Sequence, residues 1–497
     1  MKRCIAIIGI LGSLLPLYGD DYPFAGITGV DSLHIGVQDA LFLALERNAS
    51  VTIQWRDQRI AETRANLQRA AFDPVLSAGA NRSESKSQRF LGSRPEPFEL
   101  TTVRKQYDAQ LSQTLPTGST LALVSSFYET NSSIYLDQYV GTMGVTFSQA
   151  LLQGAGFGAN LAALRRARLD VEISRSEMKG VAERVVADVE VAYWGLYLAK
   201  REIEIQQESL SLAEQQLQES LERVAVGKLP TLELAAVHAE VSARQEALIE
   251  AQSRYEQARL HFIYLLNPAR TDIWAIKPVL LNEPVIPEEI LGEIELHQAL
   301  GIQYRPDLQQ AGLALKKGEL EIARTRNGLL PKLDLFVSLG RTSYAQTFKE
   351  GLPDYSSPFY DVSGGLSFTF PLPNRAARAQ AAEARWSREQ MQLSFDNMKR
   401  MVEWDVRAAY IEVLRTLKLI ETTKVTLSLQ EKKLDAELEK FRVGRSTNYL
   451  VLQAQRDFTS SQLDAARSIV AYLDALIRLY QMQGTLLERR GIVNLAE

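Results

Sequence analysis

The sequence predicts an α+β membrane protein built as a tandem-duplicated α-β-α-α repeat. Its long helices form coiled-coil rods, and its strands join those of other chains in one transmembrane β-barrel. Three observations carry this. The 497-residue chain repeats itself, its longest helical runs keep a seven-residue apolar period, and two other stretches alternate small or apolar with polar residues.

The repeat comes first. Shifted by 217 positions, Asp188, Val189, Ala192 and Tyr193 fall on Asp405, Val406, Ala409 and Tyr410. In the same register Leu210, Leu217 and Leu221 fall on Leu427, Leu434 and Leu438, and Val226-Gly227 falls on Val443-Gly444. Upstream the register changes by about forty residues, matching Ala40-Leu41 to Ala299-Leu300, so the first copy carries an insertion. Repeat 1 is read as 37–266 and repeat 2 as 297–484, with a linker or equatorial segment at 267–296 and a tail at 485–497.

Each repeat begins with a helix, at 37–70 and 297–327. A long helix is predicted over 159–226 and 376–443, and a return helix over 231–266 and 448–483. In the long helices Leu196, Ile203, Leu210, Leu217 and Val224, then Val413, Ile420, Leu427, Leu434 and Phe441, recur every seven residues, the seam of a coiled coil. Ala192, Ala199, Ala213 and Ser220 add a line of small residues that lets a neighbouring helix come close. A long helix of this size is roughly 100 Å at 1.5 Å per residue. The first and return helices together match that length and would stack end to end along it.

The segments 73–149 and 332–372 read as barrel strands. Runs such as YDAQLSQTL, GSTLALVSSFY and YDVSGGLSFTFPL alternate in character and have turn residues between them, as strands with one face to lipid do. Taken alone they would equally suit a small soluble β-domain. A membrane barrel needs at least eight strands and tolerates no open edge in lipid, so one chain cannot close it. Copy one holds an extra hairpin, near 113–135, which either projects or enlarges the barrel.

Composition narrows the function. The net charge of −4 offers no basic face for nucleic acid, and the four histidines, His34, His238, His261 and His297, lack metal-ligand spacing. No phosphate loop, nucleophile elbow or Cys/His arrangement occurs, so neither an enzyme nor a cofactor is expected. Met1, Lys2 and Arg3 precede the apolar run CIAIIGILGSLLPL and the polar Asp20-Asp21, which reads as a signal peptide over 1–19. The sole cysteine, Cys4, lies within it, and 20–36 form an N-terminal extension.

The doubled α-β-α-α order resembles the TolC-like outer membrane efflux proteins, or outer membrane factors. The passages that carry the resemblance are VQDALFLALERNASV, YRPDLQQAGLAL, LLPKLDLFVSLG, FTFPLPNRAARAQAAEA, RVAVGK and KFRVGR. The resemblance implies a homotrimer with one outer membrane barrel and one α-helical tunnel through the periplasm. It implies a passive exit duct of a tripartite efflux or type I secretion system, not an enzyme. Expected partners are a periplasmic adaptor (membrane fusion protein), an inner membrane pump of RND, ABC or MFS type, and outer membrane lipid.

The tips Val226, Gly227, Lys228, Leu229, Pro230 and Thr231, with Val443, Gly444, Arg445, Ser446, Thr447 and Asn448, would contact the adaptor. Glycine also suits a helix end for its own reasons, and Arg223, Lys228, Lys440, Arg442 and Arg445 suit the negative end of a helix dipole. Family members place acidic residues just past each turn, facing the closing lumen. Glu233 occupies that place in copy one. In copy two the matching residue is Leu450, with Gln453 and Asp457 further on, a departure from the pattern. GAGFG at 154–158 is read as a flexible joint between barrel and tunnel, where copy two has PLPN. The rival reading is a periplasmic coiled-coil adaptor or scaffold without a membrane barrel, which would nest one helical hairpin inside β-domains.

Overall fold

The computed structural model describes residues 32–90, 96–133, 136–227, 229–268, 274–287, 291–353 and 356–492. The predicted signal peptide and Lys228 lie outside them. Two helices set the scale: α4 (Ala162–Ala225) has 64 residues and α8 (Arg375–Arg442) has 68. Of their seven-residue stripes, Leu196, Leu210, Val413, Leu434 and Phe441 are buried, as is the small line Ala192, Ala199, Ala213 and Ser220. Ahead of α4 a separate short turn, α3 (Phe157–Asn160), replaces the predicted helix start at 159. The return helices are α5 (Glu233–Leu266), which starts two residues after the predicted 231, and α9 (Asn448–Gln483).

The single helix predicted at 37–70 is two: α1 (Val37–Arg47) and α2 (Ala49–Arg69). Asn48 is extended, with φ −64° and ψ 128°, and its side chain accepts from the Ser50 amide, capping α2. The helix predicted at 297–327 divides likewise into α6 (Ile294–Tyr304) and α7 (Pro306–Asn327). There Pro306 forces the preceding Arg305 out of the helical region, to φ −63° and ψ 123°. The two breaks are equivalent and lie 257 positions apart, which pairs Ala40 with His297, both buried. That corrects the matching of Ala40-Leu41 to Ala299-Leu300 by two residues.

The breaks receive the ends of the return helices. Asn48 Nδ2 donates to the Leu265 carbonyl and Asn267 Nδ2 to the Arg47 carbonyl, each at 3.0 Å. Asn267 is left-handed at φ 44°, and so is Gly484, at φ 70°, 217 positions on. At Gly484 a Cβ would stand 2.7 Å from the Tyr304 carbonyl oxygen, so the close approach of α9 to the α6–α7 break requires glycine. Thus α2 continues α5 along α4, and α7 continues α9 along α8. Packing places the helices four abreast: α2 and α5 against α4, α4 against α7 and α9, and these against α8.

The densest core lies at this waist. Tyr193, Leu196, Phe262, Leu266, Leu41 and Leu479 are nearly inaccessible. The Tyr193 hydroxyl donates to the Ile35 carbonyl at 3.4 Å and accepts from the Asn282 amide at 3.0 Å. It thereby ties the helices to a parallel pair, β1 (Ser32–Ile35) and β6 (Lys277–Leu280). A short α10 (Leu486–Arg489) lies against α4 and α9.

Above the helices, β2 (Val75–Arg89), β3 (Phe98–Thr114), β4 (Ser119–Ser132) and β5 (Gln138–Ala150) come from copy one, and β7 (Lys332–Ala345) and β8 (Tyr360–Thr369) from copy two. They form one antiparallel sheet in the order β2-β3-β4-β5-β7-β8. The extra pair, β3 and β4, does not project: it lies in the wall between β2 and β5. Pro116 and Gly118 make its turn, with the Gly118 amide donating to Leu115 at 3.0 Å.

Candidate functional site

Register sorts the side chains of the sheet into two faces, because alternate residues of a strand point to opposite sides. One row crosses all six strands as Leu76, Leu111, Leu123, Val145, Leu339 and Val362. All six are exposed, from 42% for Val145 to 74% for Leu76. A neighbouring row on the other face reads Val75, Ser112, Ala122, Thr146, Ser338 and Ser363. On that face Thr146 and Ser338 share a hydrogen bond at 3.3 Å, and the hydroxyls of Ser126 and Thr142 meet. A continuous, solvent-exposed leucine and valine surface is what a lipid-facing wall requires and a soluble β-domain avoids.

The apolar face is bounded at both ends. Aromatic residues Phe147 and Phe368 lie toward the helices, and Tyr107, Phe127 and Tyr139 at the far end. Charges enter within this end: Arg341 lies one row inside Tyr107 and Phe127, and in the row of Tyr139 Lys105 donates to Glu129 at 2.9 Å. At this far rim the loop after β7 folds onto the apolar face. Phe348 packs edge-on to Phe127 at 5.1 Å, and a Cβ on Gly141 would stand 2.4 Å from the Gly351 carbonyl.

The wall has two open edges, and both layers share them. In the sheet they are β2 and β8. Below β2, the α2 edge exposes Ile53, Ile60 and Leu67, seven apart. Below β8, α8 exposes Trp386, Leu393, Trp404 and Ile411 along one face.

At the opposite end the hairpins turn at Gly227 and Gly444, left-handed at φ 72° and 73°. Their amides close the helix ends onto Val224 and Phe441 at 3.0 and 3.1 Å. Val226, Gly227, Pro230, Thr231, Val443, Gly444 and Arg445 are exposed, and Leu229 is half-buried. Thr447 caps α9, and Ser446 Oγ donates to Glu437 at 2.8 Å. Asn448 is buried instead: its Oδ1 accepts from Gln216 at 2.8 Å, and its amide donates to Glu233 at 3.4 Å. The Arg223 guanidinium sits 4.0 Å over the Phe441 ring and donates to the Phe441 carbonyl at 3.0 Å.

Of the gate candidates, only Glu233 is drawn into this junction. Asp457 pairs with Lys433 at 2.6 Å, and Gln453 is exposed. The joint at 154–158 is tied down. Asn160 Nδ2 donates to the carbonyls of Gly154 and Gly156 at 2.7 and 3.0 Å, and Asn327 accepts from the Gly154 amide at 2.7 Å.

Sequence reasoning missed two buried acids that hold the hairpins together. Glu240, 2% exposed, bridges Arg244 on its own helix and Arg456 on α9. Glu202 on α4 binds Arg467 of α9 and Arg254 of α5 at 2.7 and 3.3 Å. Burial works to raise the Glu240 carboxyl, but the two arginines outweigh it and hold it below the ordinary value. Arg244, four residues on, was a visible signal; Arg456 was not. A third acid, Glu183 of α4, is buried with one oxygen unbonded, and burial pushes it up to about 8 despite Lys179.

A sequence profile of the family described as "Outer membrane efflux protein" matches residues 40–267 and 297–485. The chain is 26% identical over 361 residues to the pyoverdine export outer membrane protein OpmQ of Pseudomonas putida, covering 66% of this chain and 70% of the relative. It is 22% identical to the proteases secretion protein PrtF of Dickeya chrysanthemi, covering 93% and 91%. Among solved structures, a membrane protein from Pseudomonas aeruginosa superposes with a TM-score of 0.69 at 16% identity, covering 90% of each chain. The outer membrane protein VceC from Vibrio cholerae does so with 0.66 at 15%, covering 90% of this chain and 96% of that one.

Proposed function

The chain belongs to the outer membrane efflux protein family, and on that premise we propose that it is the outer membrane exit duct of a tripartite efflux or type I secretion system. It passes substrates passively after an inner membrane pump delivers them through a periplasmic adaptor. The family consists of outer membrane channels, not enzymes, and the protein resides in the outer membrane.

The observation that carries the reading is the sheet, apolar on one face and hydroxyl-lined on the other, with its open edges above those of the helical wall. In a ring, the β8 and α8 edge of one copy meets the β2 and α2 edge of the next, and both layers close together. With three copies, six strands each make an eighteen-stranded barrel, where the family's basic plan of four per chain makes twelve. Six strands about 4.8 Å apart and tilted about 40° span roughly 38 Å of wall, the same arc as four helices at about 9.5 Å. The inserted β3–β4 pair thus brings the barrel to the width of the tunnel beneath it. Exposed Val226, Gly227, Val443 and Gly444 are the natural adaptor contacts, with Glu233, which accepts from the buried Asn448, the gate acid.

The test is to express the full chain, isolate outer membranes and measure mass in detergent with conductance in planar bilayers. A heat-sensitive trimer giving discrete channels is expected, and Glu233→Ala then probes the gate. A soluble monomer without conductance overturns the duct in favour of a periplasmic scaffold.

A further inference from the structure

The outer side of the helical wall can be traced residue by residue. The added layer, α10, must lie outside a closed tube, since inside it would obstruct the lumen. Lys179 of α4 touches that layer, donating to Glu488 at 3.1 Å and standing 5.8 Å over the Tyr304 ring. Climbing α4 toward the sheet in steps of three and four leads from Lys179 through Arg175 and Glu172 to Arg168 and Arg165. Arg175 and Lys179 share a shallow groove with Gln309, Gly312 and Lys316 of α7, which fixes the outer side of that helix. From Lys316 the same stripe climbs through Glu319 and Ala323 to Arg326. Glu319 pairs with Arg388 of α8 at 3.5 Å, and above Arg388 the stripe holds Arg385 and Arg378.

Five arginines therefore crowd the outer surface just under the barrel: Arg165, Arg168, Arg326, Arg378 and Arg385. All are exposed, and no ion pair among the described residues holds any of them. Of the acids on these stripes, Glu172 pairs with Arg175 at 2.9 Å and Glu319 with Arg388, while Glu389 lies one turn below Arg385. Arg326 precedes the last residue of α7. Arg165 and Arg378 lie three residues into their helices, about 4.5 Å down, while Arg168 and Arg385 are about 9 and 15 Å down. A headgroup layer is about 5–7 Å deep, and its potential reaches roughly a further 8 Å. Exposed Phe157 and Leu372 stand at the same level.

We propose that these five arginines form a belt that binds the phosphate headgroups of anionic phospholipids in the periplasmic leaflet of the outer membrane. The belt fixes the height of the barrel in the bilayer: apolar rows above it lie in hydrocarbon, and the guanidiniums meet phosphates at its base. Arginine suits this because its planar fork donates two parallel hydrogen bonds to one phosphate. The inference rests on the barrel reading of the preceding subsection.

The test reconstitutes the trimer in vesicles of phosphatidylcholine containing one quarter phosphatidylglycerol, and measures retention of spin-labelled lipids of each kind. Wild type is expected to retain phosphatidylglycerol severalfold over phosphatidylcholine. The combined variant Arg165→Gln, Arg168→Gln, Arg326→Gln, Arg378→Gln and Arg385→Gln should lose that preference. A control with Arg400→Gln, Lys418→Gln, Lys424→Gln and Lys432→Gln, lower on α8, should keep it. If the fivefold variant does not assemble, the single changes Arg165→Gln and Arg378→Gln give graded losses. Equal retention of both lipids by wild type, or an unchanged preference in the variants, overturns the belt. So does a change in ionic selectivity of the channel with lipid preference intact, which would place the arginines in the lumen. Failure of the barrel reading looks different, because the protein would then not enter the vesicles and would retain neither lipid.

Discussion

Glu240 and Arg456 meet across the boundary between the two helical hairpins, Arg456 Nε donating to the Glu240 carboxylate at 2.8 Å. Because Glu240 also accepts from Arg244, its loss strands two cations, while loss of Arg456 leaves one pair intact. Glu240→Gln should therefore destabilise the packing of α5 on α9 by about 1–2 kcal/mol, discounted for the exposure of Arg456. Arg456→Gln should cost less. Hydrogen exchange in α5 and α9 checks the order; equal effects would deny Glu240 its bridging role.

The tip glycines make a backbone prediction. Nothing lies within 4 Å of a Cβ built on Gly227 or Gly444, so substitution there meets only the left-handed conformation. Gly444→Ala should cost about 1 kcal/mol locally and Gly444→Asn clearly less. Exchange rates of the tip amides would show it.

Glu183 predicts a pH dependence. Its carboxyl is raised from 4.5 to about 8 by burial, so the folded state binds a proton that the unfolded chain has released. Its favourable share of stability is complete below about 4.5 and is lost as pH rises to about 8. Glu183→Gln should raise the midpoint of thermal unfolding at pH 8 and leave it little changed at pH 4.5. An equal shift at both pH values would contradict the assignment.

The two faces of β4 make adjacent residues behave oppositely. Leu123→Arg puts a charge on the apolar face and should cost about 2–4 kcal/mol near mid-membrane. Val124→Arg, one residue on, points to the hydroxyl-lined face and should be tolerated. The yield of heat-sensitive trimer in the outer membrane compares them.

Gly141 holds the loop after β7. In Gly141→Ala the added methyl would lie 2.4 Å from the Gly351 carbonyl, so the loop must lift from the sheet. Trypsin added to intact cells should then cut faster after Lys349, with assembly unchanged.

The sequence by itself determined what is written in short windows: the duplication, the seven-residue seams of α4 and α8, the Val-Gly turns and the alternating strands. Each depends on spacing or on the backbone freedom of one residue. Pro306 carried a visible signal for the break at Arg305 that the reading of one helix over 297–327 passed over, while its counterpart at Asn48 rests on a cap and a distant carbonyl. Only the tertiary structure decided that β3 and β4 enter the wall, that Asn160 pins the glycine joint, and that Arg456 finds Glu240. Only it showed that leucines and valines from six strands form a single row. These depend on how each helix is rotated about its axis and which strand lies beside which. Such relations join residues up to hundreds of positions apart, and no local period records them.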